Sequence, residues 1–158
     1  MRKFLMIFVM IFSLNNLNAI EIGQKAINFT ATTVDGKEIS LEQFQGKKAV
    51  WLTFWATWCP YCEKEVPALK NLYEKYNDKL EIIAINIGVR DSLENIEAYE
   101  MKHDIPYKII MNNEITREYK VSGTPTQVLI DINGTVVYKG TRVPSNVTDE
   151  IIKQITTK

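Results

Sequence analysis

Ala49-Val50-Trp51-Leu52-Thr53-Phe54-Trp55-Ala56-Thr57-Trp58-Cys59-Pro60-Tyr61-Cys62 is the stretch whose reading decides the fold. Residues 49–54 form an apolar run suited to a strand buried on both faces. Residues 63–76 carry Val66, Leu69, Tyr73 and Tyr76 at helical spacing, the stripe of a core-facing helix, with Pro67 inside it predicting a kink. Trp58 to Cys62 therefore lies on a strand-to-helix turn, where a C-x-x-C reads as a redox dithiol. Cys59 falls at the helix N-terminus. Unpaired backbone N–H groups and the helix dipole there favour negative charge, so a thiolate forms at lower pH than in a free thiol. Pro60 suits the first helical position, since its missing N–H would be unpaired anyway. Cys62 stands one turn on, within reach of a disulfide to Cys59.

Two bland readings compete. A structural zinc site needs four ligands, but Cys59 and Cys62 are the only cysteines and the one histidine, His103, lies 41 residues past Cys62. A structural disulfide gains most from closing a long loop, and a bridge across two residues closes almost none. Redox chemistry is the reading that remains.

Working outward, Asp35-Gly36 between residues 28–31 and 37–40 is a strong hairpin-turn signal. Residues 41–44 suggest a short helical turn ended by Gly46. Beyond the dithiol helix, residues 80–87 read as a second buried strand. Residues 92–103 read as a helix capped by Ser92, with Leu93, Ile96 and Met101 inward and His103 at its end. A short strand at 108–111, a short helix at 115–119, a hairpin of 127–132 and 135–139 over Asn133-Gly134, and an amphipathic helix at 147–155 complete the chain. Strands alternating with helices, then a hairpin and a last helix, imply an α/β fold with a central mixed sheet and helices on both faces.

With 158 residues the chain has the size of one domain. Its formal net charge of zero suggests no nucleic-acid partner. The N-terminus differs from the rest. Arg2 and Lys3 precede an apolar run of 11 residues at 4–14, then polar residues and Ala19. This is the layout of a secretory signal peptide, and the run is short of the ~20 residues that a spanning helix needs. The expected division is a signal peptide at 1–19, cleaved after Ala19, and one domain at 20–158; the alternative is an uncleaved anchor. No cysteine near the site offers a lipid attachment point. Losing Arg2 and Lys3 leaves 17 basic against 19 acidic residues, a formal charge of about −2. An exported chain meets an oxidising compartment, and two cysteines make a tool there rather than a scaffold. Three Asn-x-Thr triplets, at Asn28, Asn133 and Asn146, are assigned no function.

Several motifs fall in one order: Asp35-Gly36-Lys37, Phe54 to Cys62, Glu65-Val66-Pro67, Gly123-Thr124-Pro125-Thr126, and Leu129-Ile130-Asp131-Ile132-Asn133-Gly134. In this the chain resembles the thioredoxin superfamily, and more narrowly its exported TlpA/ResA-like thiol–disulfide oxidoreductases, with a redoxin-type (AhpC/TSA-like) domain. The resemblance covers about residues 22–156. It implies a thioredoxin fold with an added N-terminal β-hairpin. It also implies that Cys59 is the attacking, more exposed thiol and Cys62 the resolving one. Pro125 matches the family's cis-proline, which offers backbone to an extended substrate, and Thr124 borders Cys59. With Trp58, Pro60 and Tyr61 these make the expected substrate-binding set. Glu65, three residues after Cys62 and on the same helix face, matches a glutamate thought to carry the proton of thiol exchange; the other reading is a solvated helix residue. The chain departs from ordinary thioredoxins at Thr53, where they hold a buried aspartate, and at Pro60-Tyr61. The latter pair lacks the histidine of strong oxidants and coincides with that of many glutaredoxins. Trp58 is expected to frame the dithiol; Trp55 suits either that role or the core.

The resemblance implies a periplasmic reductant of secreted proteins, acting for example in cytochrome c maturation and cell redox homeostasis. Its electrons would come from a membrane-embedded thiol carrier. No cofactor or metal is implied, and a monomer is expected. The alternatives are a disulfide oxidant or isomerase, with opposite electron flow, and a copper(I) carrier using the soft thiolates. A peroxidase is disfavoured because the proline- and threonine-led approach to a peroxidatic cysteine is missing before Cys59.

Overall fold

The computed structural model describes residues 20–147 and 149–157. The signal peptide expected at 1–19 lies outside them. Among the described residues, no helix is long and apolar enough to cross a membrane.

Among the described residues, seven strands and four α-helices follow in chain order. They are β1 (Thr30–Thr32), β2 (Glu38–Ser40), β3 (Ala49–Trp55), α1 (Pro60–Tyr76), β4 (Leu80–Asn86), α2 (Leu93–His103), β5 (Lys108–Met111), α3 (Asn113–Glu118), β6 (Thr126–Ile130), β7 (Val136–Gly140) and α4 (Asp149–Ile155). A 3-10 turn, Glu42–Phe44, follows β2. The main sheet has the order β5-β4-β3-β6-β7. β3 pairs parallel with β4, and β4 with β5, while β6 pairs antiparallel with both β3 and β7. β1 and β2 form the separate N-terminal hairpin, which turns at Gly36 (φ 81°). It joins the main sheet through Val34 N–H, which donates to the Ile109 carbonyl at 2.9 Å.

The period-2 alternation of strands divides the core in two. Ala49, Trp51 and Trp55 of β3, with Leu80, Ile82 and Ala84 of β4, face α1, α2 and α4. Val50, Leu52 and Phe54, with Ile83 and Ile85, face the hairpin side and α3, against Phe29, Ile39, Phe44, Ile115 and Tyr119. Every residue of β3 and β4 is buried, as a central strand covered on both faces requires.

Helix α1 continues through Pro67 although that residue cannot donate to the Glu63 carbonyl. Its buried stripe is Cys62, Val66, Leu69, Leu72 and Tyr76, with Tyr73 only partly covered. In α2 the buried residues are Ile96 and Tyr99. The expected inward Leu93 and Met101 are instead 51% and 77% exposed. Met101 stands five residues from Ile96, ~140° round a helix of 3.6 residues per turn. Leu93 is the first residue of the helix, next to the exposed Ser92 cap. α2 does end at His103, where Asp104 takes the left-handed conformation (φ 48°). α3 begins two residues earlier than expected because Asn112 caps it, accepting from Ile115 N–H at 2.9 Å.

Candidate active site

The site lies at the C-terminal ends of β3 and β4, where parallel strands open toward ligands. β3 ends at Trp55, and the chain turns through residues 56–58 into α1. Cys59 is the N-cap of α1, with Pro60 as the first helical residue. Its Sγ accepts from Cys62 N–H at 3.1 Å, the hydrogen bond that helix geometry offers a thiolate at this position. Cys59 and Cys62 form a disulfide with Cα atoms 5.3 Å apart, inside the ordinary range. The expectation that Cys59 is the more exposed partner is not met in this oxidised form, where the two residues are 4% and 5% exposed. What separates them is their surroundings: Cys59 caps the helix, while Cys62 faces the interior beneath it.

On one side the turn is tied to the loop after β4. Asp91 Oδ2 accepts from Thr57 N–H at 2.9 Å and from Asn86 Nδ2 at 2.7 Å. Asp91 Oδ1 accepts from the Thr57 hydroxyl. Asn86, fully buried, also accepts Gly88 N–H at 2.8 Å. Trp58 Nε1 donates to the Val89 carbonyl at 2.7 Å, and the Arg90 guanidinium lies 5.9 Å from the Trp58 ring centre. Asp91, Asn86 and Arg90 carried no signal in the sequence pattern. The one available clue was topological: Asn86 ends the strand paired with β3, directly opposite Trp55.

On the other side a cleft of about 640 Å³ opens between α1 and the segments flanking β6 and β7. Its walls include Tyr61, Lys64, Glu65, Thr124, Pro125 and Arg142. The Thr124–Pro125 peptide bond is cis, as the resemblance implied. Glu65 is partly buried on the cleft wall, and its Oε2 accepts from Val143 N–H at 2.6 Å. Burial, then the charge of Glu65, pushes the Tyr138 phenol up. Tyr61 is exposed at the cleft mouth, with the Lys64 ammonium 5.3 Å from its ring centre. The structure thus groups Tyr61, Glu65, Thr124 and Pro125 on one cleft. It sets Trp58 apart, on the β4–α2 loop side. Trp55 is buried and stacks on Tyr99 with ring centres 4.7 Å apart, so it belongs to the core. Among the described residues, no three His, Cys, Asp or Glu side chains form a metal-binding group.

The AhpC/TSA family model matches residues 22–139. The thiol-disulfide oxidoreductase ResA of Bacillus thuringiensis subsp. konkukian is 41% identical over 141 residues, which span 86% of this chain and 79% of that protein. A crystal structure of a thioredoxin-family thiol:disulfide interchange protein from Chlorobium tepidum superposes with a TM-score of 0.71 at 27% identity, over 88% of this chain and 100% of that one. A secreted disulfide oxidoreductase of Mycobacterium tuberculosis superposes at 0.65 with 25% identity, over 80% and 93%. With the dithiol at the head of α1 and the thioredoxin fold behind it, the chain belongs to the AhpC/TSA family and is a ResA-like thiol–disulfide oxidoreductase.

Proposed function

We propose that this chain is an exported reductant that opens disulfides in secreted proteins, apocytochrome c among them. Cys59 attacks and Cys62 resolves. Thr124 and Pro125, with Tyr61, hold an extended substrate strand in the cleft, and Pro60 and Trp58 meet the part of the substrate that passes over the dithiol toward the β4–α2 loop. Glu65 carries the proton at the departing substrate sulfur. The domain at 20–158 acts as a monomer and draws electrons from a membrane-embedded thiol carrier. Residues 1–19 direct export to the periplasm, or hold the chain to the membrane if they stay uncleaved. The secreted M. tuberculosis relative supports export.

The observation that carries this reading is the Cys59 N-cap. A sulfur that accepts a backbone N–H at a helix N-terminus is a better thiolate and hence a better nucleophile near neutral pH. Between the cysteines stand only Pro60 and Tyr61, so no cation within the motif holds the reduced form as strongly as in a strong oxidant.

The reduction potential of the Cys59–Cys62 couple tests the direction. Equilibrated against glutathione or dithiothreitol, the domain is expected near the thioredoxin end, ~−270 mV. A value near ~−120 mV would make it an oxidant. A copper(I) carrier would instead bind the metal stoichiometrically and lack reductase activity. Glu65→Gln keeps an oxygen for Val143 N–H but cannot ionise. It is expected to lower kcat/KM in a disulfide-reduction assay by ~10-fold or more and to flatten its pH dependence. Full activity with an unchanged pH profile would return Glu65 to a structural role.

A further inference from the structure

Just past the end of β7, one peptide group is held at both of its polar atoms. The Arg142 carbonyl accepts from the Tyr138 hydroxyl at 2.7 Å. The N–H across the same peptide bond is that of Val143, and it donates to Glu65 Oε2 at 2.6 Å. This peptide is trans, and a planar trans unit points its C=O and N–H in opposite directions. Fixing the carbonyl on Tyr138 therefore aims the N–H, and the N–H holds the Glu65 carboxylate. A hydroxyl that donates to the carbonyl also polarises the amide and makes its N–H a stronger donor.

The position of the phenol is set within β7. Tyr138 and Gly140 stand two residues apart on that strand and share one face. The phenol lies along this face, over Gly140. A methyl group at Gly140 would overlap the phenol oxygen and stand 2.7 Å from Cζ, closer than a side chain can pack. The φ of Gly140 lies outside the left-handed region, so the backbone makes no demand for glycine there and the phenol does. From beneath, the ring rests on Trp51, with centres 5.9 Å apart. Trp51 is fully buried and donates from Nε1 to Gln127 Oε1 at 2.7 Å, a fixed floor for the ring. Because burial and then Glu65 push the phenol up, its hydroxyl keeps the proton that it donates.

We propose that Tyr138 and Gly140 are positioning residues for Glu65: Tyr138 grips the peptide that orients the carboxylate, and Gly140 leaves the room in which the phenol reaches it. The proposal rests on the reading of Glu65 as the proton carrier of the exchange. A glutamate side chain turns about several bonds, and holding it in one arrangement costs entropy that a fixed partner offsets. With Oε2 engaged by Val143, Oε1 is the oxygen that serves the substrate sulfur.

Neither Tyr138 nor Gly140 lines the cleft, so both act through Glu65 and not on the substrate. The titratable and charged groups that share the cleft wall with Glu65 are Tyr61 and Lys64 of α1 and Arg142 beyond β7. On its far side Tyr138 lines a groove toward α4, together with Asp131. All of these stay in place when Tyr138 or Gly140 is substituted, so a changed pH dependence reports on Glu65.

The test is the pH profile of kcat/KM for disulfide reduction in Tyr138→Phe, Gly140→Ala, Glu65→Gln and the two double variants with Glu65→Gln. Tyr138→Phe keeps the ring on Trp51 and loses only the hydroxyl. It is expected to lower kcat/KM by ~3-fold or more, the scale of one lost hydrogen bond, and to flatten the profile toward that of Glu65→Gln. Gly140→Ala displaces the whole phenol and should do at least as much. Each double variant should fall no further than Glu65→Gln alone, because changes that act through one group do not add. Hydrogen exchange of the Val143 amide should speed up by ~3-fold or more in folded Tyr138→Phe. Wild-type rates and profiles in Tyr138→Phe and Gly140→Ala, beside an impaired Glu65→Gln, overturn the proposal and leave Glu65 its role. Additive losses in the double variants also overturn it. Full activity with an unchanged profile in Glu65→Gln would sink the reading of Glu65, and this proposal with it.

Discussion

Cys59→Ser is expected to reduce thiol–disulfide turnover to background, and Cys62→Ser to arrest the enzyme as a mixed disulfide with its substrate. The first follows from the chemistry of the N-cap. A serine hydroxyl there accepts the same Cys62 N–H but stays protonated, so the position keeps its hydrogen bond and loses its nucleophile. The expected loss is ~10³-fold or more, the scale of removing a covalent nucleophile. The second follows from geometry. With the cysteine Cα atoms 5.3 Å apart, Cys62 is placed to displace a substrate from Cys59, and no other free cysteine exists in the chain to substitute. The trapped species should be visible by mass spectrometry and by non-reducing electrophoresis. Turnover surviving in Cys59→Ser would overturn the assignment of roles. Cys62→Ser protein that turned over freely would mean that an external thiol resolves the intermediate.

The parts of the fold that a sequence can show are those whose burial is one-dimensional. β3 and β4 read as unbroken apolar runs because both their faces are covered, and the structure buries every residue in each. The turn signals at Asp35-Gly36 and Asn133-Gly134 were legible because both glycines need positive φ, 81° and 80°. The dithiol was legible because two cysteines at this spacing, between strand and helix, have few other uses. α2 was legible as a helix but not in its facing. Leu93 and Met101 are apolar by type, yet the buried line runs through Ile96 and Tyr99 toward His103. That line includes a tyrosine and a histidine, which a hydrophobic pattern does not count. The site's supports were illegible for a related reason. Asp91 and Arg90 lie in a loop, and Asn86 ends a strand. The contacts of Arg90 with Trp58 and of Asp91 with Thr57 cross 32 and 34 residues of sequence, Asn86 reaches the turn only through Asp91, and none of these leaves a period to detect.

Asp91 therefore yields the second large expected effect. In Asp91→Ala, Thr57 N–H, the Thr57 hydroxyl and Asn86 Nδ2 all lose their acceptor at once. Asn86 is fully buried, and water reaches its amide only by opening the β4 end. A buried donor left unpaired costs about 1–3 kcal/mol. Of the three donors only Asn86 is fully buried, while Thr57 is part-exposed and can turn to water, so the expected loss of unfolding stability is about 1–3 kcal/mol, read from urea denaturation of oxidised and reduced protein. Asp91→Asn keeps one acceptor oxygen but must turn an N–H₂ toward one of the donors, so it should lie between alanine and wild type. The consequence for chemistry is separable from the loss of stability. Thr57 is two residues before Cys59, and the turn that Asp91 holds sets where the Cys59 sulfur meets the helix N-terminus. A turn freed from Asp91 should present Cys59 in several orientations, few of which retain the Cys62 N–H bond. The first phase of thiol exchange should then slow under conditions where Asp91→Ala is still fully folded. A variant as stable as wild type, or one that is destabilised yet exchanges at the wild-type rate while folded, would mean that α1 alone positions the sulfur.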